Sequence, residues 1–156
     1  NTPTIVCGNN LSLIVSNSTV SSVGYSDLGA HGHEDEQIFP PKMIPTLKNI
    51  MSIFTGCAHS ACVDDEGNLF SFGSNEFGQL GIGVDEDTLE FTHTPQKVNL
   101  PPCSQVSCGE YFTACLTSQG DIYSFGYNSV GQLGIGNNEN YNSPQKIESL
   151  KDVEFI

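Results

Sequence analysis

The chain has 156 residues, with 5 Lys and Arg against 18 Asp and Glu and a formal net charge of -13 at pH 7. This balance argues against nucleic acid and against an anionic membrane surface as ligands, because both present negative charge to the protein. It suits a basic protein partner, although an acidic surface also serves solubility alone. There is no run of about 20 apolar residues, so we predict no transmembrane helix, and the length fits one domain over residues 1–156.

The predicted elements follow a repeat of roughly fifty residues, and its first copy is the most divergent. Gly8 opens this copy, and residues 24–32 form a glycine-rich cluster in which Ala30 and His31 replace the Gln and Leu of the later copies. Gly8 lies one residue closer to the cluster than the later copies predict. We place the missing residue in a hairpin turn, where loops tolerate changes of length.

The second copy shows the order of the predicted strands. A small, apolar run around residues 61–63 predicts a strand buried on both faces. A hairpin turn follows at residues 65–68, and an aromatic-rich second strand covers residues 69–72. The glycine-rich turn at residues 73–83 comes next, and apolar residues around Val98 and Val106 complete the unit.

The third copy establishes the period. Residues 126–136 repeat residues 73–83 at an offset of 53, with eight of eleven positions identical. The glycines of this turn serve backbone geometry, because a phosphate-binding loop would open a helix and be followed by a lysine or an acidic ribose ligand. The positions that recur as structural elements of the repeat are Gly56, His59, Gly73, Gly78, Gln79, Gly81, Gly109, Gly126, Gly131, Gln132 and Gly134.

These patterns predict an all-β fold without helices. The repeats cover approximately residues 8–55, 56–108 and 109–156, and each reads as four short strands. Four-stranded antiparallel sheets of this kind stack radially as the blades of a β-propeller, in which each sheet covers the face of its neighbour.

The spacing of Gly56, His59, Ser60 and Gly67, followed by the glycine-rich turn, resembles the repeat of the regulator of chromosome condensation family. This resemblance implies a seven-bladed propeller, of which the chain would supply about three blades. Some members of the family are guanine-nucleotide exchange factors for the small GTPase Ran, and many others are adaptor modules. The exchange factors use acidic and aromatic residues on one face and a protruding β-hairpin, and this sequence has no motif that matches them. The basic tail of the founding member is also absent.

Four of the six cysteines and His59 are interpreted as packing residues. His59 occupies the position of Phe112 and Leu11 in the other copies, and a site where these side chains interchange is a core site. Cys62 and Cys115 share one repeat position, and Cys7 and Cys108 share another. The two members of each pair are therefore expected on different blades, as small buried thiols.

Cys57 and Cys103 have no equivalent in the other repeats and are candidates for reactivity. Without a visible secretory signal, reduced thiols and a cytoplasmic or nuclear location are the default expectation.

Two acidic loops follow the glycine-rich turns of the first and second copies. Variable loops on one rim of a rigid scaffold are a common place for recognition. A merely solvated loop is the alternative for both, and a metal site at His31 and His33 is disfavoured because no third ligand is indicated. The candidate partner-binding residues are Asp85, Glu86, Asp87, Glu90, Phe91, Glu34, Asp35 and Glu36.

The sequence therefore predicts a non-enzymatic protein-interaction module with an acidic, loop-bearing rim, without cofactor, metal or catalytic residues. A fragment of an exchange factor for a Ran-like small GTPase and a structural subunit of a larger assembly are the alternatives. The remaining blades would come from the parent chain, which we favour, or from a second copy in a head-to-tail homodimer.

Overall fold

The computed structural model describes residues 2–83 and 89–156, and this part of the chain contains twelve strands and no helix. The strands are β1 Thr4–Cys7, β2 Leu11–Ser16, β3 Thr19–Tyr25, β4 Gln37–Met43, β5 Ile50–Thr55, β6 His59–Asp64, β7 Leu69–Ser74, β8 Phe91–Lys97, β9 Cys103–Cys108, β10 Phe112–Thr117, β11 Ile122–Gly126 and β12 Tyr141–Lys146.

The strands form three four-stranded antiparallel sheets, each a simple meander: blade 1 is β1–β4, blade 2 is β5–β8 and blade 3 is β9–β12. The predicted all-β fold class is confirmed. Each blade starts one strand before a predicted repeat, since β5 ends the repeat 8–55 but is the first strand of blade 2. Blades 2 and 3 therefore each combine the last strand of one repeat with the first three of the next, and β1 of blade 1 precedes the first repeat.

The length difference between the first and second copies lies in the turn after the second strand of the blade. In blade 1, Asn17 and Ser18 connect β2 to β3 with φ values of 49° and 63°. In blade 2 the equivalent connection contains residues 65–67 between Asp64 and Asn68. Left-handed residues at both central positions are typical of a two-residue hairpin turn, which joins the strands tightly without changing their register.

The hydrophobic core lies between the blades. One cluster joins Leu13 and Ile44 of blade 1 to Ile53 and Phe72 of blade 2. A second joins residues of blade 2, such as Leu69, to residues of blade 3 that include Phe125. Residues 59–63 of β6 are all buried, as expected for a strand covered on both faces.

The meander places the connections of all three blades on two opposite rims. One rim, here called the loop rim, carries the connections from first to second strand (residues 8–10, 56–58 and 109–111) and from third to fourth strand (26–36, the described residues 75–83 and 89–90, and 127–140). The other, here called the turn rim, carries the hairpin turns such as 65–68. Among the described residues, no helix has the length and apolar character needed to cross a membrane.

Two expectations about the cysteines are wrong. Cys103 and Cys115 form a disulfide between β9 and β10 of blade 3, so neither is a free thiol. Cys7 is exposed, because it lies on β1 and no blade of this chain covers that face. Cys62 is fully buried, and burial raises the pKa of its thiol, which fits the predicted structural role.

Candidate protein-interaction rim

The glycine-rich loops of the loop rim are fixed to their own blades by repeated hydrogen bonds. The hydroxyls of Ser22, Ser71 and Ser124 donate to the carbonyls of the residues nine positions later, at 2.6, 2.7 and 2.8 Å. These serines are buried at the same position of the third strand. The loop backbone is therefore held by the same anchor in all three blades.

The motif asparagines and glutamines close the loops on themselves. Asn128 accepts a hydrogen bond from the backbone N–H of Leu133 at 2.9 Å and donates to the carbonyl of Asn137 at 2.9 Å. The side-chain oxygen of Gln79 accepts from the N–H of Phe77 at 2.8 Å. These polar side chains therefore hold the structure of the loops.

A hydroxyl on the second strand of the following blade is linked to the loop of blade 1 and to that of blade 2. Ser60 of blade 2 donates to the carbonyl of Ala30 in blade 1 at 2.6 Å, and Thr113 of blade 3 donates to the carbonyl of Gln79 in blade 2 at 2.9 Å. Both hydroxyls are buried at equivalent positions. The loops therefore join adjacent blades through these hydrogen bonds.

His59 belongs to this link and is a core residue, as predicted. Its Nε2 lies 2.9 Å from the Thr113 hydroxyl, which already donates to Gln79, so Nε2 carries the proton and donates. Its Nδ1 is buried and has no hydrogen-bond partner in the part of the chain that the structure describes. Burial lowers the pKa of His59 to about 4, and the ring is neutral at physiological pH.

Of the predicted partner-binding residues, Glu34 of blade 1 contacts blade 2. Glu34 Oε1 is 3.5 Å from Nε2 of His93, which is on β8 of blade 2, and Asp35 is 3.2 Å from Nζ of Lys42. Glu36 and Glu90 are exposed, and Phe91 is 41% exposed at the start of β8. The other three candidates, Asp85, Glu86 and Asp87, lie outside the described residues. A role for any of these residues in binding stays a prediction.

The loop rim has a uniform sign of charge. Its carboxylates in the described residues are Asp27, Glu34, Asp35, Glu36, Glu76, Glu90, Glu110 and Glu139. The five lysines of the chain are at positions 42, 48, 97, 146 and 151, on the fourth strands or on the turn-rim side, and the chain has no arginine. Lys42 forms an ion pair with Asp35. Because eight carboxylates on this rim face this one lysine, negative charge dominates the rim.

An aromatic cluster on the loop rim was not found from the sequence. The ring centroid of Phe77 lies 5.2 Å from that of Tyr111 and 4.7 Å from that of Tyr127, and the two tyrosines are 6.4 Å apart. Phe77 belongs to blade 2 and both tyrosines to blade 3. The sequence does carry a signal for this cluster, because Tyr111 and Tyr127 are aromatic at positions where the preceding repeat has Ala58 and Ser74.

The histidine-rich segment of blade 1 serves packing. His31 is fully buried, as expected from the leucine at this position in the other copies, and its Nε2 lies 3.1 Å from the carbonyl oxygen of Glu36. The rings of His31 and His33 are 6.0 Å apart. Within residues 2–83 and 89–156, no three His, Cys, Asp or Glu side chains are grouped to hold a metal ion.

Comparison with known proteins places the chain among propeller proteins. The family described as the regulator of chromosome condensation (RCC1) repeat matches residues 66–116 and 119–156. Protein RCC2 homolog of Xenopus laevis is 33% identical over 96% of this chain and 29% of its own length. The secretion-regulating guanine nucleotide exchange factor of Bos taurus is 41% identical over 82% of this chain and 28% of its own length.

The fold agrees with this match. The crystal structure of Prp20p from Saccharomyces cerevisiae superimposes with a TM-score of 0.83 at 23% identity, over 93% of this chain and 38% of that chain. At this identity the superposition establishes the fold, a β-propeller. The chain spans less than a third of the length of the two relatives. It belongs to the regulator of chromosome condensation repeat family.

Proposed function

We propose that the chain is a protein-interaction module that binds a basic protein through the loop rim. The observation that carries this proposal is the segregation of charge: eight described carboxylates on the loop rim, with every lysine of the chain on a fourth strand or towards the turn rim. Complementary potentials steer association and select partners of opposite charge. The rigid blades and anchored loops supply a preorganised surface for such binding.

Matched charge variants test this proposal. A loop-rim variant with Glu34→Gln, Glu36→Gln and Glu90→Gln loses three negative charges, and a control with Asp65→Asn, Glu66→Gln and Glu148→Gln loses three on the turn-rim side. Titration calorimetry with an arginine- and lysine-rich peptide should show binding that weakens severalfold in the first variant and much less in the control. Equal weakening in both would mean that only net charge matters and would contradict the proposal.

Guanine-nucleotide exchange on a Ran-like small GTPase is the second candidate. It is favoured by the 41% identity to a relative named as a guanine nucleotide exchange factor. Such a protein would act without chemistry of its own, by displacing the nucleotide from the GTPase. Release of a fluorescent nucleotide from a panel of small GTPases tests this candidate, and an unchanged release rate with the complete parent protein would exclude it.

A cytoplasmic or nuclear location remains part of the proposal. The Cys103–Cys115 disulfide argues against such a location, because disulfides are uncommon in reducing compartments. Microscopy of the fluorescently tagged parent protein tests the location directly, and a signal confined to the secretory pathway would contradict it.

A further inference from the structure

The cluster of Phe77, Tyr111 and Tyr127 occupies the loop rim at the junction of blades 2 and 3. The three rings are half-buried and contact one another with centroid distances of 4.7 to 6.4 Å. The backbone N–H of Tyr127 donates to the carbonyl of Tyr111 at 2.9 Å, which fixes the two tyrosines side by side. The cluster is therefore a preformed patch with part of each ring open to solvent.

Carboxylates flank the patch. Glu76 and Glu110 immediately precede Phe77 and Tyr111 in the chain, and both are exposed. The negative charge of Glu110 raises the pKa of the Tyr111 hydroxyl, which places that carboxylate within electrostatic reach of the ring. A cation approaching these rings meets negative charge from two neighbouring residues.

Packing of the blades does not require these rings. At the junction of blades 1 and 2 the equivalent positions carry Leu28, Ala58 and Ser74. That junction keeps the same interblade hydroxyl link, from Ser60 to Ala30, and a cleft of about 120 Å³ lies beside it. The same interblade link therefore forms without aromatic side chains at these three positions, so the stacking of the blades does not explain the rings.

We propose that the patch receives an arginine side chain of the basic partner, an inference that rests on the proposed function. A cation over an aromatic face is attracted by the ring, most strongly where water is excluded. The rings touch one another and leave no space between them for an ammonium group, so the cation must lie on their outer faces. A planar guanidinium stacks on such a face and directs its edge N–H groups to carboxylates on either side.

The test uses a peptide of alternating glycine and arginine, and a peptide of the same length in which uncharged citrulline replaces each arginine. The arginine peptide should shift the ring-proton resonances of Phe77, Tyr111 and Tyr127, and the citrulline peptide should not. A triple variant with Phe77→Val, Tyr111→Ala and Tyr127→Ser carries residues that equivalent positions of the chain already hold. Its affinity for the arginine peptide should fall about tenfold.

Tyr25→Ser is the matched control, because Tyr25 is the blade 1 equivalent of Tyr127 and is 43% exposed. This control should bind like the wild type, and circular dichroism should show the same β-signal for both variants. An arginine peptide that binds the aromatic variant with wild-type affinity overturns the inference. If the loop-rim charge variant still weakens binding, the proposed function stands without the aromatic site. If neither variant weakens binding, both proposals fail.

Discussion

His59 shows how a buried titratable side chain makes stability depend on pH. Its ring is fully buried, and burial lowers its pKa from 6.5 to about 4. Since the folded pKa lies below the unfolded value, the unfolded chain binds the proton more readily between these two pH values. The stabilisation from a neutral His59 is complete above pH 6.5 and is lost as the pH falls towards 4.

We therefore predict that His59→Phe removes part of the acid sensitivity. Phenylalanine occupies this position in the third copy, as Phe112, so the substitution suits the site. Between pH 7 and pH 4 the wild type should lose about 3 kcal/mol more of its free energy of unfolding than the variant. Urea titrations at several pH values measure this difference. Parallel pH profiles for the two proteins would show that His59 is not the titrating group.

Thr113 connects His59 to the loop of blade 2 and is the second residue whose role can be isolated. Thr113→Val keeps the shape of the side chain but leaves the buried Nε2–H of His59 without its acceptor. We expect a loss of roughly 1–3 kcal/mol in the free energy of unfolding, measured in urea. Thr113→Ser should retain most of the stability, because Ser60 makes the equivalent bond in blade 2. Equal stability of the valine and serine variants would contradict this role.

At the scale of elements, the glycine-rich loop depends on glycine for two separate reasons. Gly81 has φ +66° and Gly83 has φ +71°, so both adopt a left-handed conformation that costs other residues roughly 1–2 kcal/mol. A Cβ at Gly81 would also lie 2.5 Å from the ring of Phe125 in the next blade, whereas a Cβ at Gly83 would meet no atom of the described residues within 4 Å.

Alanine substitutions separate these two effects. Gly83→Ala should lower the free energy of unfolding by the backbone cost alone. Gly81→Ala should cost roughly 1–3 kcal/mol more, because the loop must shift away from Phe125. Chemical denaturation of both variants gives the comparison. Similar losses would mean that the loop and Phe125 do not pack closely in solution.

The strands themselves were largely predictable. The small, apolar run at residues 61–63 correctly indicated a strand buried on both faces, because Cys62 packs in the core cluster towards blade 1, and Ala61 and Val63 pack in the cluster towards blade 3. The strand at which each blade begins was not predictable from the repeat. A period gives the length of the unit, but not which four consecutive strands share hydrogen bonds, and β5 pairs with β6 rather than with β4.

At the scale of the whole molecule, three blades leave two uncovered flanks. Ser12 occupies the position of Ser60 and Thr113 but has no preceding blade within this chain, and its nearest hydrogen-bond partner is Cys7 at 3.5 Å. On the first blade Ile5 is 59% exposed, and in the segment after the last blade Phe155 is 79% exposed. Apolar side chains and unpaired strand edges at both ends favour association with further blades.

We propose that the parent protein supplies these blades, with a two-fold homodimer as the alternative. The isolated chain should then sediment as a 16.8 kDa monomer at micromolar concentration, because its two flanks would match the remaining blades of the parent protein and not each other. A stable dimer that Ser12→Arg dissociates would support the six-bladed, head-to-tail ring instead. Sedimentation velocity over a range of concentrations distinguishes the two.

The sequence by itself determined the repeat, the strands, the glycine-rich turns and the inward positions of His31 and His59, because these follow from local backbone geometry and from the alternation of apolar residues. Only the tertiary structure decided which side chains of different blades meet. Phe77 and Tyr127 are fifty residues apart and come into contact through the stacking of two sheets. A periodic pattern describes one blade at a time, whereas contacts across blades depend on how rigid sheets pack against each other.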